Sequence, residues 1–403
     1  MKLNEAYLFE NRKIPNRVVF QPMEGCDCEE DGTFSELTRK KYMTFAASGA
    51  GTIWFEATAV CEEGRTNARQ MMLKDSNLDF YRDFIRELKS TAIQKNGYAP
   101  LMILQLTHSG RQSIRPMIAY RNEIYERARP LYDTYIVTDD YLDTLPEEFA
   151  RTAHLAELAG FDGVDMKSCH GYLLQEMLSA FSRPGKYGGS FENRSRLFLD
   201  CVRAIKRTVS ADFIVASRIS ITDMVPYPCG FGTDRENRID LTEPKRLISE
   251  LYGLGVRMLN VTLGNPYYNP HVNRPFRVGA YKPEETPETG LARFVTVERE
   301  LKKTFPDMTV VGSGLSYYRD DLIERAEGLL TDGVCDLVGF GRETLAYPEF
   351  YHDALSGKFT GKRCCVTCSR CTELMRGGCP AGCAVFNPYY KELYETKIKP
   401  KKV

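Results

Sequence analysis

The sequence lacks the apolar stretch of a secretion signal: its first twenty residues read MKLNEAYLFENRKIPNRVVF. Nor does any apolar run reach the roughly 20 residues that span a bilayer. Net charge is missing too, with 54 basic residues against 54 acidic ones. That balance excludes a general pull toward nucleic acid or an anionic membrane surface. Internal repeats and extended low-complexity stretches are absent. These absences leave a cytoplasmic chain with small molecules, rather than nucleic acids or membranes, as partners. A homo-oligomer is compatible with all of them.

Of the 403 residues 43% are apolar, enough for a sizeable core. Eight short apolar or β-branched runs recur: Val18–Gly25, Thr52–Val60, Pro100–His108, Phe161–Cys169, Phe213–Ser220, Arg257–Gly264, Thr309–Gly314 and Cys335–Arg342. Most are continuous rather than alternating, as suits parallel strands covered on both faces. The segments between them show helical spacing. Glu192–Ser210 sets Leu197, Phe198, Cys201, Val202 and Ile205 on one stripe. Glu147–Gly160 reads as a helix with Pro146 at its first turn. Eight β-then-α units predict an α/β fold closed into a (β/α)8 barrel. An open doubly wound sheet usually begins with a G-x-G-x-x-G turn. The first run here ends instead in Pro22-Met23-Glu24-Gly25.

Two connections are long, Ser109–Leu145 and Asn265–Thr289. Both leave the C-terminal ends of strands, where barrel active sites lie. The barrel is expected over residues 1–355. Residues 356–403 then form a short cysteine-rich segment and a basic tail.

The fourth run places Lys167, His170 and Tyr172 at a barrel mouth. Lysine and histidine can both hold a carbonyl oxygen, which makes the β-carbon of a conjugated substrate electrophilic. Each such preorganised donor lowers a barrier by about 3–4 kcal/mol. Tyr172 can then deliver a proton. Taken without further context, Lys167 is equally an ordinary strand-end lysine and His170 a satisfied structural histidine.

Longer motifs decide between these readings. They are Pro22-Met23, Glu56-Ala57-Thr58, Gln105-Leu106-Thr107-His108-Ser109-Gly110-Arg111, His170-Gly171-Tyr172-Leu173-Leu174, the run Tyr187–Arg194, and Gly341-Arg342. In this order and over nearly the whole chain, they resemble the Old Yellow Enzyme family of FMN-dependent ene-reductases. The likeness is greatest to the branch with a C-terminal iron–sulfur cluster, typified by 2,4-dienoyl-CoA reductase and trimethylamine dehydrogenase.

The resemblance implies that Pro22, Met23, Glu24 and Ala57 lie at the isoalloxazine ring and that Gln105 bonds its pyrimidine edge. Arg218 would stabilise the anionic reduced flavin. The phosphate would rest on Gly312, Ser313, Gly314, Gly341 and Arg342, in the loops after strands seven and eight. Lys167 and His170 would polarise the substrate carbonyl, with Tyr172 as proton donor. Tyr267, Tyr268 and His271 of the second long loop would line the substrate site. The reaction implied is hydride transfer from reduced FMN to the β-carbon of an α,β-unsaturated carbonyl or carboxyl compound.

Two positions depart from the family pattern. Lys167 stands where most members carry histidine, which points to a carboxylate or a developing enolate. Glu24 stands where a small Thr or Cys is usual. A carboxylate there disfavours added negative charge unless it is paired, and Lys167 is the candidate partner.

Six of the 13 cysteines fall between Cys364 and Cys383. Such local clustering reads as metal binding rather than disulfides. Cys365, Cys368 and Cys371 give C-x2-C-x2-C, followed by Cys383. In the resembled branch this spacing ligates a [4Fe–4S] cluster; structural zinc usually takes two separated C-x2-C knuckles instead. The first ligand is Cys365 or its neighbour Cys364. Cys26 and Cys28 read as local packing.

About 20 residues follow Cys383, with no second G-x-G-x-x-G unit, so either NADH or NADPH reduces the flavin directly or a donor protein feeds electrons through the cluster. Three rival readings stand beside the ene-reductase. They are an oxidative amine demethylase on the same scaffold, an electron-transfer subunit of a larger complex, and a class I aldolase with Lys167 as its Schiff base.

Overall fold

A computed structural model describes residues 1–279 and 281–402. Ala280, within the expected loop 265–289, and Val403, at the end of the expected cysteine-rich segment, lie outside the described residues.

Eight parallel strands close into a barrel: β1 (Val18–Phe20), β2 (Thr52–Ala59), β3 (Leu101–Thr107), β4 (Gly163–Met166), β5 (Ile214–Ser220), β6 (Met258–Thr262), β7 (Thr309–Gly312) and β8 (Leu337–Phe340). Each pairs with the next in the chain, and β8 returns to β1. Every expected run contains one of these strands. Continuous apolar runs mark them because both faces are covered; all eight residues of β2 and all seven of β3 are buried. β1 is shorter than its run. Its ladder stops at Phe20, which frees residues 21–25 to fold over the barrel mouth.

Helices α1 (Glu36–Ala47), α2 (Leu78–Asn96), α3 (Asp139–Leu158), α4 (Phe191–Thr208), α5 (Thr242–Gly253), α6 (Pro287–Thr304), α7 (Leu322–Thr331) and α8 (Phe350–Leu355) follow the successive strands. α4 buries the expected stripe, and Ser190 caps it by accepting from the Asn193 amide. α3 differs from expectation. It starts at Asp139 under a Thr138 cap, so Pro146 lies in its interior rather than in its first turn. Proline removes one helical hydrogen bond. Leu142, Leu145 and Phe149 are buried on both sides of it and hold the two halves to the core.

The barrel interior has two layers. At the bottom, Val19, Trp54, Ile103, Ile214, Met258, Val311 and Leu337 pack together. Phe9 and Ile14 of an N-terminal hairpin (Tyr7–Phe9 with Arg12–Ile14) join this cluster from below. Above it lies a polar layer. Trp54 Nε1 and Gln105 Nε2 donate to Asp165 Oδ2 at 2.8 and 2.6 Å, and the Arg218 amide donates to Asp165 Oδ1. Asn260 Nδ2 donates to Gln21 Oε1 at 2.7 Å, and Gln21 Nε2 to Ser313 Oγ at 3.1 Å. Buried polar groups need such partners. Burial still pushes the Asp165 carboxyl up to about 6, against the pull of its donors. This layer forms the floor of the site.

After α8 the chain covers the mouth with α9 (Arg370–Arg376) and α10 (Pro388–Lys397), which share a small core of Leu374, Ala384, Tyr394 and Ile398. Backbone and side-chain bonds fasten this part to the barrel. The Ala381 amide donates to Gly25 O at 2.6 Å, the Cys365 amide to Glu343 Oε2 at 2.9 Å, and the Arg277 amide to Thr367 Oγ1 at 3.0 Å. Among the described residues, no helix is long and apolar enough to cross a membrane.

Candidate active site

One large cavity opens at the C-terminal ends of the strands, with about 1190 Å³ of space between atoms, its mouth included. The freed segment after β1 contributes Gln21, Pro22, Met23 and Glu24; Ala57 and Gln105 project from β2 and β3. Lys167, His170 and Tyr172 come from the turn after β4, and Arg218 from β5. Ser313 and Gly314 follow β7, and Gly341 and Arg342 follow β8. Tyr267 enters from the long loop after β6. With Cys371 of the cysteine-rich segment, the structure therefore gathers fifteen of the residues singled out in the sequence around one space.

Other expected residues lie elsewhere. Gly312 ends β7 against Cys335 and Glu298. Tyr268 turns away to meet Tyr125 edge to face, 6.0 Å between ring centres, in a small adjoining pocket. His271 sits in a short helix, Pro270–Asn273, with Nδ1 at 2.5 Å from the Tyr281 hydroxyl and Nε2 at 3.6 Å from Glu285. Arg274, Arg376, Asn273 and Met375 also line the cavity, although the sequence did not mark them. Arg376 and Met375 belong to α9, so the cysteine-rich segment forms one wall. A lone arginine carries no local pattern that would have revealed this.

The turn after β4 explains how its three side chains converge. His170 and Gly171 both adopt left-handed backbone, φ 65° and 70°. A side chain at Gly171 would meet Asn265 Nδ2 at 2.4 Å, so glycine is required there. Histidine tolerates this region uncommonly, and such strain concentrates at functional sites. The two residues reverse the chain so that Tyr172 caps a short helix, Leu173–Leu178.

Lys167 Nζ lies 3.5 Å from the centre of the Tyr172 ring. Burial pulls the Lys167 ammonium below its ordinary range, opposed by Cys169 and Glu24. His170 is held well below its ordinary value, first by burial and then by Arg218, Lys167 and Arg274, so the ring is neutral at pH 7. Its Nε2 is buried without a partner among the described residues. Tyr172 donates to Glu24 Oε2 at 3.0 Å, and Asn67 Nδ2 donates to Glu24 Oε1 at 3.3 Å. The expected Lys167–Glu24 ion pair does not form; Lys167 reaches the tyrosine ring instead.

Charge in the cavity is one-sided. Among the described residues, Lys167, Arg218, Arg274, Arg342 and Arg376 face a single carboxylate, Glu24. Arg218 Nε, Arg274 Nε and Arg342 Nη1 are buried with no acceptor among the described residues. An orphaned buried donor costs about 1–3 kcal/mol. Three of them around one space fit a ligand rich in anionic acceptors.

The family model for the NADH:flavin oxidoreductase / NADH oxidase family matches residues 5–358. The chain belongs to this family. It is therefore a flavin-dependent oxidoreductase, with FMN and a nicotinamide as the family's redox partners. A "NADH oxidase" of Thermoanaerobacter brockii is 28% identical over 368 residues, covering 89% of this chain and 51% of that protein. A "cinnamate reductase" of Clostridium sporogenes is 27% identical over 394 residues, covering 93% and 56%. The chain thus spans about half the length of these two relatives. A solved 2-naphthoyl-CoA reductase complex superposes with a TM-score of 0.78 at 17% identity over 98% of this chain and 58% of its own, a likeness of fold.

The donor set fits the family's cofactor. FMN carries a phosphate and a ring edge rich in acceptors, which match the orphaned arginine donors. Gln105, whose amide already donates to Asp165, keeps its carbonyl oxygen for a ring N–H.

All 13 cysteines are free thiols. Cys365, Cys368, Cys371 and Cys383 are partly exposed, and Cys371 lines the cavity. Cys364 is buried and turned to the Arg319 and Thr360 carbonyls, at 3.7 and 3.8 Å. Cys379 faces the Gly377 carbonyl and packs on the small core. Among the described residues no group of three or more His, Cys, Asp or Glu side chains stands ready to hold a metal ion.

Proposed function

We propose that this protein is an ene-reductase: it reduces the C=C bond of an α,β-unsaturated carbonyl or carboxyl compound, with electrons from NADH or NADPH. The observation that carries the reading is the convergence of Lys167, the unpartnered His170 Nε2 and Tyr172 on one wall of a cavity lined by cations.

Pro22, Met23, Ala57, Gln105 and Arg218 would hold the flavin ring, and Ser313, Gly314, Gly341 and Arg342 its phosphate. FMN bound there would supply the two-electron redox chemistry that links the nicotinamide to the substrate's C=C bond. Lys167 and His170 would bind the substrate's carbonyl or carboxylate oxygen. Lysine donates whenever it is charged, and His170 donates in its Nε2–H tautomer. Tyr172 would give its hydroxyl proton to the α-carbon. The surplus of cations favours an acid over a neutral ketone, in keeping with the relative named for cinnamate.

Cys365, Cys368, Cys371 and Cys383 are proposed to hold a [4Fe–4S] cluster. Cys364 and Cys379 have other partners, which leaves these four thiols of the segment. The amide of Thr367 donates to Cys365 Sγ at 3.4 Å, the kind of bond that tunes a cluster thiolate. The C-x2-C-x2-C run with a fourth cysteine further on suits such a cluster better than zinc, which usually takes two separated C-x2-C knuckles.

Anaerobic turnover of trans-cinnamate and 2-cyclohexen-1-one, with NADH or NADPH, tests the reading. Saturated product formed in step with nicotinamide oxidation supports it. Oxidation of the nicotinamide with neither substrate reduced argues against it.

A further inference from the structure

A phenol has one proton to give. In this structure Tyr172 spends it on Glu24 Oε2, at 3.0 Å, and while it does so that proton is not aimed at a substrate. When the Glu24 carboxyl is itself protonated, the same contact reverses: the acid donates to the phenol oxygen and the phenol hydrogen is released toward the cavity. Tyr172 is only 2% exposed, so water does not reach it freely, whereas Glu24 is half-buried at the cavity wall.

We propose that Glu24, in its acid form, is the relay that recharges Tyr172 during reduction of the substrate. The inference rests on the reading of Tyr172 as proton donor. As the hydride equivalent arrives at the β-carbon, the Tyr172 O–H bond breaks and a C–H bond forms at the α-carbon. In the same movement the Glu24 O–H proton passes to the phenol oxygen. Tyr172 emerges as a phenol and Glu24 as a carboxylate, and one solvent proton restores the acid. The electron pair originates in NADH or NADPH, so charge and atoms balance over one turnover. With Glu24 ionised the relay is poised the other way, to withdraw a proton from the phenol and favour desaturation.

The loop is built to keep Glu24 at this point. The Gly25 amide donates to Glu56 Oε2, and the Gly25 carbonyl accepts from the Ala381 amide at 2.6 Å. A side chain at Gly25 would lie 2.3 Å from Asp27 Oδ1 and 2.4 Å from Lys41 Nζ and would have to displace that ion pair. No cation forms an ion pair with Glu24 among the described residues, and its polar contacts are the Tyr172 hydroxyl and the Asn67 amide. The charged and titratable groups that face it are Lys167 and Tyr172 from the β4 turn, Tyr267 from the β6 loop and Cys26 from its own loop. Arg376 of α9 lies beyond the Tyr267 ring.

The test is single-turnover reoxidation of the reduced, flavin-loaded holoprotein across pH, with trans-cinnamate, 2-cyclohexen-1-one and ferricyanide. Ferricyanide takes electrons without protonating carbon. In the wild type the rates with the two unsaturated compounds should fall as pH rises. Glu24→Gln should lose that pH dependence and slow these rates at least ten-fold more than it slows ferricyanide. Glu24→Asp should keep the pH dependence, and added acetic acid should restore part of the rate in Glu24→Ala. A Glu24→Gln protein with the wild-type rate and pH profile overturns the relay, as does equal slowing with all three acceptors. If Tyr172→Phe also matches the wild type, the role of Tyr172 itself fails. If Tyr172→Phe is slow while Glu24→Gln is normal, only the relay fails.

Discussion

Lys167 Nζ stands 3.5 Å from the centroid of the Tyr172 ring, a cation set on the face of the proposed proton donor. A desolvated contact of this kind is worth about 2 kcal/mol. Burial, and then the neighbouring Glu24 carboxylate, hold the Tyr172 phenol well above its ordinary value, so it carries its proton at neutral pH. The ring contact also fixes the ammonium where a substrate oxygen can meet it.

Removing that ammonium should harm acids more than ketones. Lys167→Met is expected to lower kcat/KM for trans-cinnamate by about 10- to 100-fold, the worth of a charged hydrogen bond. The loss for 2-cyclohexen-1-one should be several-fold smaller. Steady-state kinetics on both compounds checks this. Equal losses would place Lys167 in structure rather than in recognition.

His170 should not titrate near neutrality, because its folded value is held well below the ordinary one. Buried His108 behaves likewise, pushed down to about 4 by burial. For a depressed histidine the unfolded chain takes up the proton first. Stability is therefore full above the unfolded value of about 6.5 and is lost as pH falls below it. Thermal unfolding between pH 7 and 5 should show this decline, and a shallower one in His170→Gln.

Lys41 is buried between Asp27 and Glu56, with Nζ at 3.2 and 2.6 Å from their oxygens. Lys41→Met leaves two carboxylates buried without their cation. The expected cost is about 3–5 kcal/mol, measured as a lower unfolding midpoint. The Gly25 amide rests on Glu56, so the loop carrying Glu24 should loosen as well. Faster hydrogen exchange at residues 24–28 would report it.

The cysteines divide by their contacts. Alanine at Cys365, Cys368, Cys371 or Cys383 should abolish iron and acid-labile sulfide in anaerobically purified protein. Alanine at Cys364 or Cys379 should leave both in place. Iron lost on replacing Cys364 but not Cys365 would reassign the first ligand.

The barrel was legible because parallel strands buried on both faces write themselves as continuous apolar runs, and most of the eight stand in the chain in that form. The cavity was largely legible for a related reason. Its groups sit at strand ends, where motifs such as His170-Gly171-Tyr172 are contiguous in sequence. What escaped notice depends on docking between distant segments. Arg376 reaches the cavity only because α9 lies against the loop after β6, where its guanidinium donates to the Pro266 carbonyl at 2.5 Å. Tyr268 sits beside Tyr267 in the chain, yet a turn sends it toward Tyr125. Pro146 marked a helix start by its usual preference, and core packing on both sides overrode that preference. The partner of Glu24 was misjudged because a lysine and a tyrosine five residues apart compete for it, and only the turn geometry decides between them.

The most direct test of the central claim follows the hydrogen. FMN-loaded, reduced protein is mixed anaerobically with trans-cinnamate and 2-cyclohexen-1-one in deuterated water, and the product is read by mass spectrometry and NMR. The account expects stoichiometric reoxidation and a saturated product that carries solvent deuterium at the α-carbon. Failure of both compounds to reoxidise the protein, together with bleaching of the oxidised form by an amine such as trimethylamine, would contradict it.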